Sequence, residues 1–418
     1  MVSFKARRMD PELVSPARPT PAETKALSDL DDQRTLRYYE TVIAFFRSRH
    51  GYTSHRRPDD PAKAIKAALA EALVYYYPIA GRLREAAGGK LVVDCTAQGV
   101  VFVEADADVR LEELGKPLLP PYPCVEELLC DAGETRAVIG KPLVLMQVTR
   151  LKCGGFVIGF HMCHTIADGF DYDNNNKSDD VMLSTPMDNM VVQYFLFGPR
   201  EIATLRGHLR GYQLAATSAT SFELLTAVMW RCRTTALGYQ SDQRVRLMVT
   251  MNARGKWNQH TLIPRGYYGN AHVSPIAEAT AGELCGQPLA DTVELVRKTK
   301  LSVTKERMES MVDTIASTRQ WPPPTMDRIY EVSDTKWIAT NATQFGWAEL
   351  VGGGIPLAGD LTSKLGSDHM SCKNQDGEHS TIVSMLLPKP AMEKFSGELS
   401  VWLNNKHDEK NLVILSSL

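Results

Sequence analysis

HMCHTIADGF, residues 161–170, decides how the chain is interpreted, because it places an imidazole and a carboxylate four residues apart at the end of an apolar run. Residues 142–163 contain two apolar, β-branched stretches joined at Gly154 and Gly155, a pattern that predicts a hairpin buried on both faces. His164 then follows a central strand, where an unpaired charge is costly. We expect such a histidine to have a partner or a chemical task.

His164 has two interpretations, a general base and a structural histidine. Imidazole can accept a proton near neutral pH, whereas a buried histidine is commonly satisfied by backbone groups. Asp168 could orient His164 as in a catalytic triad, but the sequence has no Gly-x-Ser-x-Gly motif to supply a serine nucleophile. A base without a protein nucleophile indicates that the substrate supplies the attacking hydroxyl or amine.

Composition argues against several classes of function. The 418 residues include 47 basic and 49 acidic side chains spread along the chain, which disfavours nucleic acid or an anionic membrane and favours a small ligand. The eight cysteines form no Cys-x-x-Cys pair, so we expect reduced thiols, a cytoplasmic location and no metal. No stretch resembles a signal peptide or a membrane span. The terminal Ser-Ser-Leu resembles the peroxisomal Ser-Lys-Leu signal but lacks its lysine.

Helix and strand patterns are mixed along the chain. Asp60 and Pro61 predict the start of an amphipathic helix, and the capping-box spacing of Thr220 and Glu223 predicts another. The absence of Pro and Gly from 291 to 317 predicts a third helix. Strands are predicted near residues 90–95, 99–109, 244–254, 380–387 and 412–418. The polar segment 171–180 divides the chain, so we expect an α/β or α+β protein with halves at 1–180 and 181–418.

Several motifs in order along the chain resemble those of the BAHD family of plant acyl-CoA-dependent acyltransferases. HTIADG matches the family's His-x-x-x-Asp-Gly motif, and YYYPIAGRLR resembles its Tyr-Pro-Leu-Ala-Gly-Arg stretch. FELLTAVMWRCR, MNARGK, GYYGNA and QFGWA resemble successive motifs of the second half. The sequence most resembles the branch of benzyl alcohol benzoyltransferases and related grass acyltransferases.

The resemblance implies two chloramphenicol-acetyltransferase-like domains, each a mixed sheet with helices, joined by a crossover loop. A channel between them would bring acyl-CoA, a co-substrate rather than a bound cofactor, and the acceptor together at His164. His164 would then act as the base and Asp168 would hold the loop by pairing with an arginine, for which we predict Arg254. An aromatic or hydroxycinnamoyl donor, an alcohol acceptor and a monomeric protein are expected.

The resemblance also implies roles for residues of the second half. Thr220 and Ser221 begin a helix whose N-terminus could bind an anionic part of coenzyme A, although a simple helix cap explains them equally well. Ser333 lies where the family often has a hydroxyl near the pantetheine arm. Gly346 and Trp347 match the late motif near the channel, where the indole could donate to the oxyanion or simply pack at the domain boundary.

Two departures from the family pattern bear on activity. Gln344 and Ala348 replace the usual Asp and second Gly of the late motif, so a hydrogen bond must replace an ion pair. Family members usually continue after Asp-Gly with a long helix, whereas this chain passes directly into DYDNNNKSDD, which indicates that several tens of residues are absent. The alternatives are therefore an N-acyltransferase acting on an amine, or a catalytically silent protein that binds acyl-CoA or a partner.

Overall fold

The computed structural model describes residues 2–33, 36–49, 60–135, 137–166, 179–212, 218–254, 263–264, 266–318, 326–336, 345–356, 364–404 and 413–416. The helices are α1 Pro61–Tyr75, α2 Val181–Ser184, α3 Pro199–Gly207, α4 Ser221–Leu237, α5 Ala281–Gly286, α6 Leu289–Leu301, α7 Lys305–Thr318 and α8 Lys389–Leu403. In this part of the chain no helix is both long enough and apolar enough to cross a membrane.

The strands form two large mixed sheets and a small one. They are β1 Ala6–Arg8, β2 Glu12–Val14, β3 Thr24–Ala26, β4 Tyr39–Ser48, β5 Arg82–Glu85, β6 Leu91–Asp94, β7 Val100–Ala107, β8 Val144–Leu151, β9 Phe156–Cys163, β10 Met190–Phe197, β11 Arg244–Asn252, β12 His272–Val273, β13 Ile276–Thr280, β14 Ile329–Asp334, β15 Ala348–Gly354, β16 Gly366–Lys373, β17 His379–Pro388 and β18 Val413–Ser416. Two sheets with packed helices confirm the predicted fold class.

The first sheet places β9 in its interior. The strand order is β1-β7-β8-β9-β4-β15, so β9 has a hydrogen-bonded neighbour on each side. β8 and β9 form the predicted antiparallel hairpin, and Gly154 provides the left-handed residue of its turn with φ 79°. The strand that leads to His164 is therefore central and buried, as its sequence predicts.

Helix α1 covers one face of this sheet. Asp60 is its N-cap, with the side chain accepting a hydrogen bond from the Ala62 amide at 3.0 Å, and Pro61 occupies the first turn. Ile65 and Leu73 pack with Phe156 in one apolar cluster. The predicted start of the helix is confirmed. Of its predicted apolar face, Ile65 and Leu73 are buried, whereas Tyr76 is exposed.

The second sheet has the order β12-β11-β14-β16-β17-β10-β18 and is covered by α4. The Thr220 and Glu223 capping box forms as predicted, with the Glu223 amide donating to Thr220 Oγ1 at 3.2 Å. Leu224 and Val228 of α4 pack with Tyr330 and other residues of the sheet. Nearly every side chain of α4 is buried, so this helix forms the centre of the second core.

The prediction of one helix across residues 291–317 is wrong, because α6 and α7 are separate helices. Hydroxyl groups at the junction satisfy backbone groups that a continuous helix would use. Ser302 Oγ donates to the Thr299 carbonyl at 2.8 Å, and Thr304 Oγ1 accepts from the Arg307 amide at 3.2 Å. Such local side-chain bonds compete with helix continuation.

A strand from late in the chain joins the first sheet. β15 pairs antiparallel with β4, with a register shift between Leu350 and Gly352. The second half of the sequence thus contributes the edge of the N-terminal sheet, which joins the two halves through backbone hydrogen bonds. The division at residues 180 and 181 stays a prediction.

Candidate active site

His164 begins a short 3₁₀ turn directly after β9. Its side chain is 1% exposed, and its ring lies against Tyr38 with ring centroids 5.1 Å apart. The His164 amide donates to the Tyr38 carbonyl at 2.8 Å. The next residue, Thr165, donates its hydroxyl to the Leu36 carbonyl at 2.9 Å. The segment before β4 therefore holds one side of the turn that carries the imidazole.

The other side of this turn is held from the second half of the chain. Asn270 is fully buried, and its side-chain amide donates to the His164 carbonyl at 3.0 Å. The same amide group lies 3.4 Å from the Thr165 carbonyl. His164 therefore sits where residues from both halves of the sequence meet.

Asp31 anchors Asn270. One carboxylate oxygen accepts from the Asn270 backbone amide at 2.5 Å and from its side chain at 2.8 Å. The other accepts from the Tyr267 hydroxyl at 2.5 Å and from Ser28 Oγ at 2.6 Å. We call Asp31, Tyr267 and Asn270 the Asp31 clamp. Desolvation and the negative charge of the Asp31 carboxylate raise the pKa of the Tyr267 hydroxyl, so Tyr267 is a donor at physiological pH.

Arg254 supports the loop that carries the clamp. Its guanidinium donates to the Tyr267 carbonyl at 3.2 Å and to the Gly269 carbonyl. A Cβ atom at Gly269 would lie 2.5 Å from the Tyr267 hydroxyl and 2.7 Å from the Asp31 carboxylate, so a larger residue there would displace the side chains of the clamp. Asp168, the predicted partner of Arg254, lies outside the described residues, and the proposed pair stays a prediction.

The sequence did not single out Asp31 or Asn270 as functional residues. Asn270 belongs to GYYGNA, a motif that resembles the family but was given no role. Asp31 belongs to the acidic stretch DLDD at 29–32. The two residues are 239 positions apart. A buried pair between two polar loops has no local sequence signal, because loops of this composition are ordinarily exposed.

Thr220 and Ser221 lie at the N-terminus of α4. The Thr220 hydroxyl accepts the Glu223 amide, and the Thr220 amide donates to the Glu223 carboxylate at 2.9 Å. Lys300 donates to that carboxylate at 2.8 Å. Burial alone would raise the pKa of the Glu223 carboxyl, but the hydrogen bond and charge of Lys300 and the hydrogen bonds of Thr220 hold it below its usual value. The cap interpretation accounts for Thr220, and a role in binding coenzyme A stays a proposal.

Ser333 faces away from α4. Tyr330 and Val332 pack with α4 in the core, and because side chains alternate along a strand, Glu331 and Ser333 point to the opposite face. Glu331 is buried and accepts from Thr250 Oγ1 at 2.7 Å. Desolvation raises the pKa of the Glu331 carboxyl, partly offset by Thr250 and His272. Ser333 therefore shares its face with a buried polar pair.

Trp347 and Gly346 lie near the opposite end of β9 from His164. The Trp347 ring contacts Phe156 and Phe345, with centroids 5.2 Å and 4.9 Å apart. Phe156 is the first residue of β9 and His164 follows its last, a separation of about 25 Å along a strand at ~3.3 Å per residue. These contacts support packing rather than donation to an oxyanion at His164. Gly346 is exposed, and Gln344 lies outside the described residues.

His161 is structural. Its Nδ1 is 2.8 Å from Thr41 Oγ1 and its Nε2 is 2.9 Å from the Cys130 carbonyl, and desolvation lowers its pKa. Within the described ranges no group of three or more His, Cys, Asp or Glu residues is arranged to hold a metal ion.

Comparison with known proteins assigns the chain to a family. A model described as the Transferase family matches residues 4–174 and 182–401. Acyl transferase 1 of Oryza sativa subsp. japonica is 60% identical over 487 positions, covering all of both chains. Spermidine hydroxycinnamoyltransferase 1 of the same organism is 46% identical, covering 89% of this chain and 94% of its own length. Benzyl alcohol O-benzoyltransferase of Petunia hybrida is 40% identical, with coverages of 96% and 94%.

Solved structures share the fold. Vinorine synthase superposes with a TM-score of 0.69 at 18% identity, covering 96% of this chain and 99% of its own. TRI101 of F. sporotrichioides, complexed with coenzyme A and T-2, gives a TM-score of 0.64 at 15% identity, with coverages of 90% and 97%. The family model, the curated relatives and the shared fold agree with the motifs around His164. This chain belongs to the BAHD family of acyltransferases, which use acyl-CoA as co-substrate.

Proposed function

We propose that this protein transfers an aromatic or hydroxycinnamoyl group from coenzyme A to an alcohol, with His164 as the general base. The observation that supports this proposal is the position of His164. It is buried at the end of a central strand and held by Tyr38 from the first half and Asn270 from the second. A base fixed where the two halves meet is suited to a reaction between two substrates that enter between them.

The proposed reaction needs no acyl-enzyme. His164 takes the proton of the acceptor hydroxyl as its oxygen attacks the thioester carbonyl, which forms a tetrahedral intermediate. The carbon–sulfur bond then breaks, and the imidazolium returns the proton to the coenzyme A thiolate. Alignment of the two substrates and stabilisation of the oxyanion would supply much of the remaining rate enhancement.

The names of the curated relatives support the donor and acceptor classes. One relative is named a benzyl alcohol O-benzoyltransferase, which favours a benzoyl-type donor and an alcohol. Another is named a spermidine hydroxycinnamoyltransferase and is 46% identical, which favours an amine acceptor as the second candidate. We also propose a monomeric, cytoplasmic enzyme.

A catalytically silent relative that binds acyl-CoA or a partner is the third candidate. The family model does not match residues 175–181, and the alignment with the 60% identical relative runs over 487 positions against 418 residues here. The relative therefore contains segments that this chain lacks. This difference agrees with the several tens of residues expected to be absent after the Asp-Gly motif.

The test is thiol release from benzoyl-, coumaroyl- and acetyl-CoA in the presence of a panel of alcohols and amines. We expect release with an aromatic donor and an alcohol, and we expect His164→Ala to fold but to lose at least about a hundredfold in turnover. Turnover of this variant within a few-fold of the unaltered protein would exclude His164 as the base. Thiol release only with amines would favour the N-acyltransferase. No thiol release with any donor and acceptor would favour the catalytically silent protein.

A further inference from the structure

The orientation of the Asn270 side chain is determined by its neighbours. The three groups around its nitrogen are the Asp31 carboxylate and the carbonyls of His164 and Thr165, and all three are acceptors. The NH₂ group must therefore face them, because the amide oxygen would be repelled. The Asp31 clamp thus presents a donor to the backbone of the turn that carries His164.

We propose that Asn270, oriented by Asp31, is a positioning residue for acyl transfer. It holds the His164 carbonyl, and through the backbone it fixes where the imidazole meets the attacking hydroxyl or amine. This inference rests on the proposed role of His164 as the base. Asn270 itself does not touch the reacting atoms.

The turn that carries His164 is held by hydrogen bonds on both of its sides. On one side, the Asp31 carboxylate accepts four hydrogen bonds. Arg254 donates to the Tyr267 and Gly269 carbonyls of the loop that carries Asn270. Tyr38 and Leu36 fix the opposite side of the turn. A misplacement of ~1 Å of a catalytic group can cost about a hundredfold in rate, so a turn held from both sides serves the alignment of the base.

The experiment compares Asn270→Ala with Gln147→Ala. Gln147 is a matched control, since it is also a fully buried amide that donates to a backbone carbonyl, that of Glu127 at 2.8 Å. Both changes should lower the melting temperature. Asn270→Ala should reduce kcat by at least about tenfold while KM for both substrates stays within about threefold, and Gln147→Ala should leave kcat nearly unchanged.

A second measurement does not depend on activity. In protein labelled at histidine, the His164 imidazole resonance is identified by its loss in His164→Ala. We expect this resonance to shift in Asn270→Ala and not in Gln147→Ala. If the alanine variant does not fold, Asn270→Ser is measured by the same criteria, since its hydroxyl is too short to reach the His164 carbonyl.

The proposal is overturned if kcat of the Asn270 variant stays within about threefold of the unaltered protein, or if the His164 resonance is unchanged. It is also overturned if neither Asn270 variant folds while Gln147→Ala does, because the role of Asn270 is then structural. Failure of His164→Ala to lose activity contradicts the proposed function instead, and the two failures are therefore distinguishable.

Discussion

The Asn270 side chain donates a hydrogen bond of 3.0 Å to the His164 carbonyl, although the two residues are 106 positions apart. This bond joins the turn after β9 to the loop 266–271 of the second half. Arg254 in turn donates to two carbonyls of that loop. The surroundings of His164 therefore depend on residues that do not contact its side chain.

Arg254→Ala should lower both stability and activity, because it removes charge-assisted bonds to the Tyr267 and Gly269 carbonyls. We expect a loss of about 2 kcal/mol in the free energy of unfolding. Arg254→Lys, which keeps the charge but not the planar fork, should be intermediate. Denaturant unfolding and thiol release measure the two effects.

The predicted pairing of Asp168 with Arg254 is tested by a double-mutant cycle. Asp168→Asn alone should reduce thermal stability as well as turnover, since the proposed role of Asp168 is to hold the loop. Combined with Arg254→Ala, it should show coupling of at least about 0.5 kcal/mol. Strict additivity of the two changes would exclude the proposed pair.

Trp347→Ala should destabilise the protein by about 3 kcal/mol, because the ring packs against Phe156 and Phe345. Trp347→Phe keeps most of this packing but removes the indole N–H. We therefore expect Trp347→Phe to retain turnover within about threefold. A loss of a hundredfold with an unchanged melting temperature would restore the oxyanion interpretation.

Features that depend on residues close together in the sequence could be predicted, whereas those that depend on distant residues could not. Helices α1 and α4 start where Asp60 and Thr220 predict, because capping involves residues only two or three positions apart. The break between α6 and α7 was missed because no Gly or Pro marks it and the Thr304 cap has Arg307, not a glutamate, three residues later. The Asp31–Asn270 pair was not predictable because its residues are distant in the sequence. His164 was identified because strand pattern and motif coincide.

Stability should depend on the protonation of His369. Its ring is fully buried beside Phe222, and neither ring nitrogen is hydrogen-bonded to any described residue. Desolvation, with a smaller contribution from Lys336, lowers the pKa of His369 to about 3. The unfolded chain takes up a proton below pH ~6.5, so this contribution to stability falls as the pH drops from there towards 3.

His369→Leu should remove this dependence. The variant should gain stability relative to the unaltered protein as the pH falls, by about 3 kcal/mol at pH ~4. It should also be at least as stable at neutral pH, because an apolar side chain leaves no buried polar group unsatisfied. His379→Gln, an exposed change on β17, is the control. Unfolding curves that are parallel across this pH range would contradict the assignment.

The last prediction concerns the junction after Phe170, where residues 167–178 lie outside the described residues. The family model is interrupted at residues 175–181, close to where the family helix is expected to be absent. A missing helix exposes the apolar side chains that it would cover and opens the channel in which two substrates must be held within about 3.5 Å. We therefore expect the chain to be less stable and less active than a version with a family-type helix inserted between Phe170 and Asp171.

Both forms are expressed and compared by melting temperature and by thiol release with the same donors and acceptors. An insertion of Gly and Ser residues of equal length is the matched control, because it adds chain without an apolar face. A higher melting temperature and faster thiol release with the helix, but not with the Gly-Ser insertion, would show that the helix acts by covering apolar side chains. Equal activity and stability of all three forms would mean that the short polar segment suffices. Activity only with the helix would indicate that the natural chain is catalytically silent because this segment is missing.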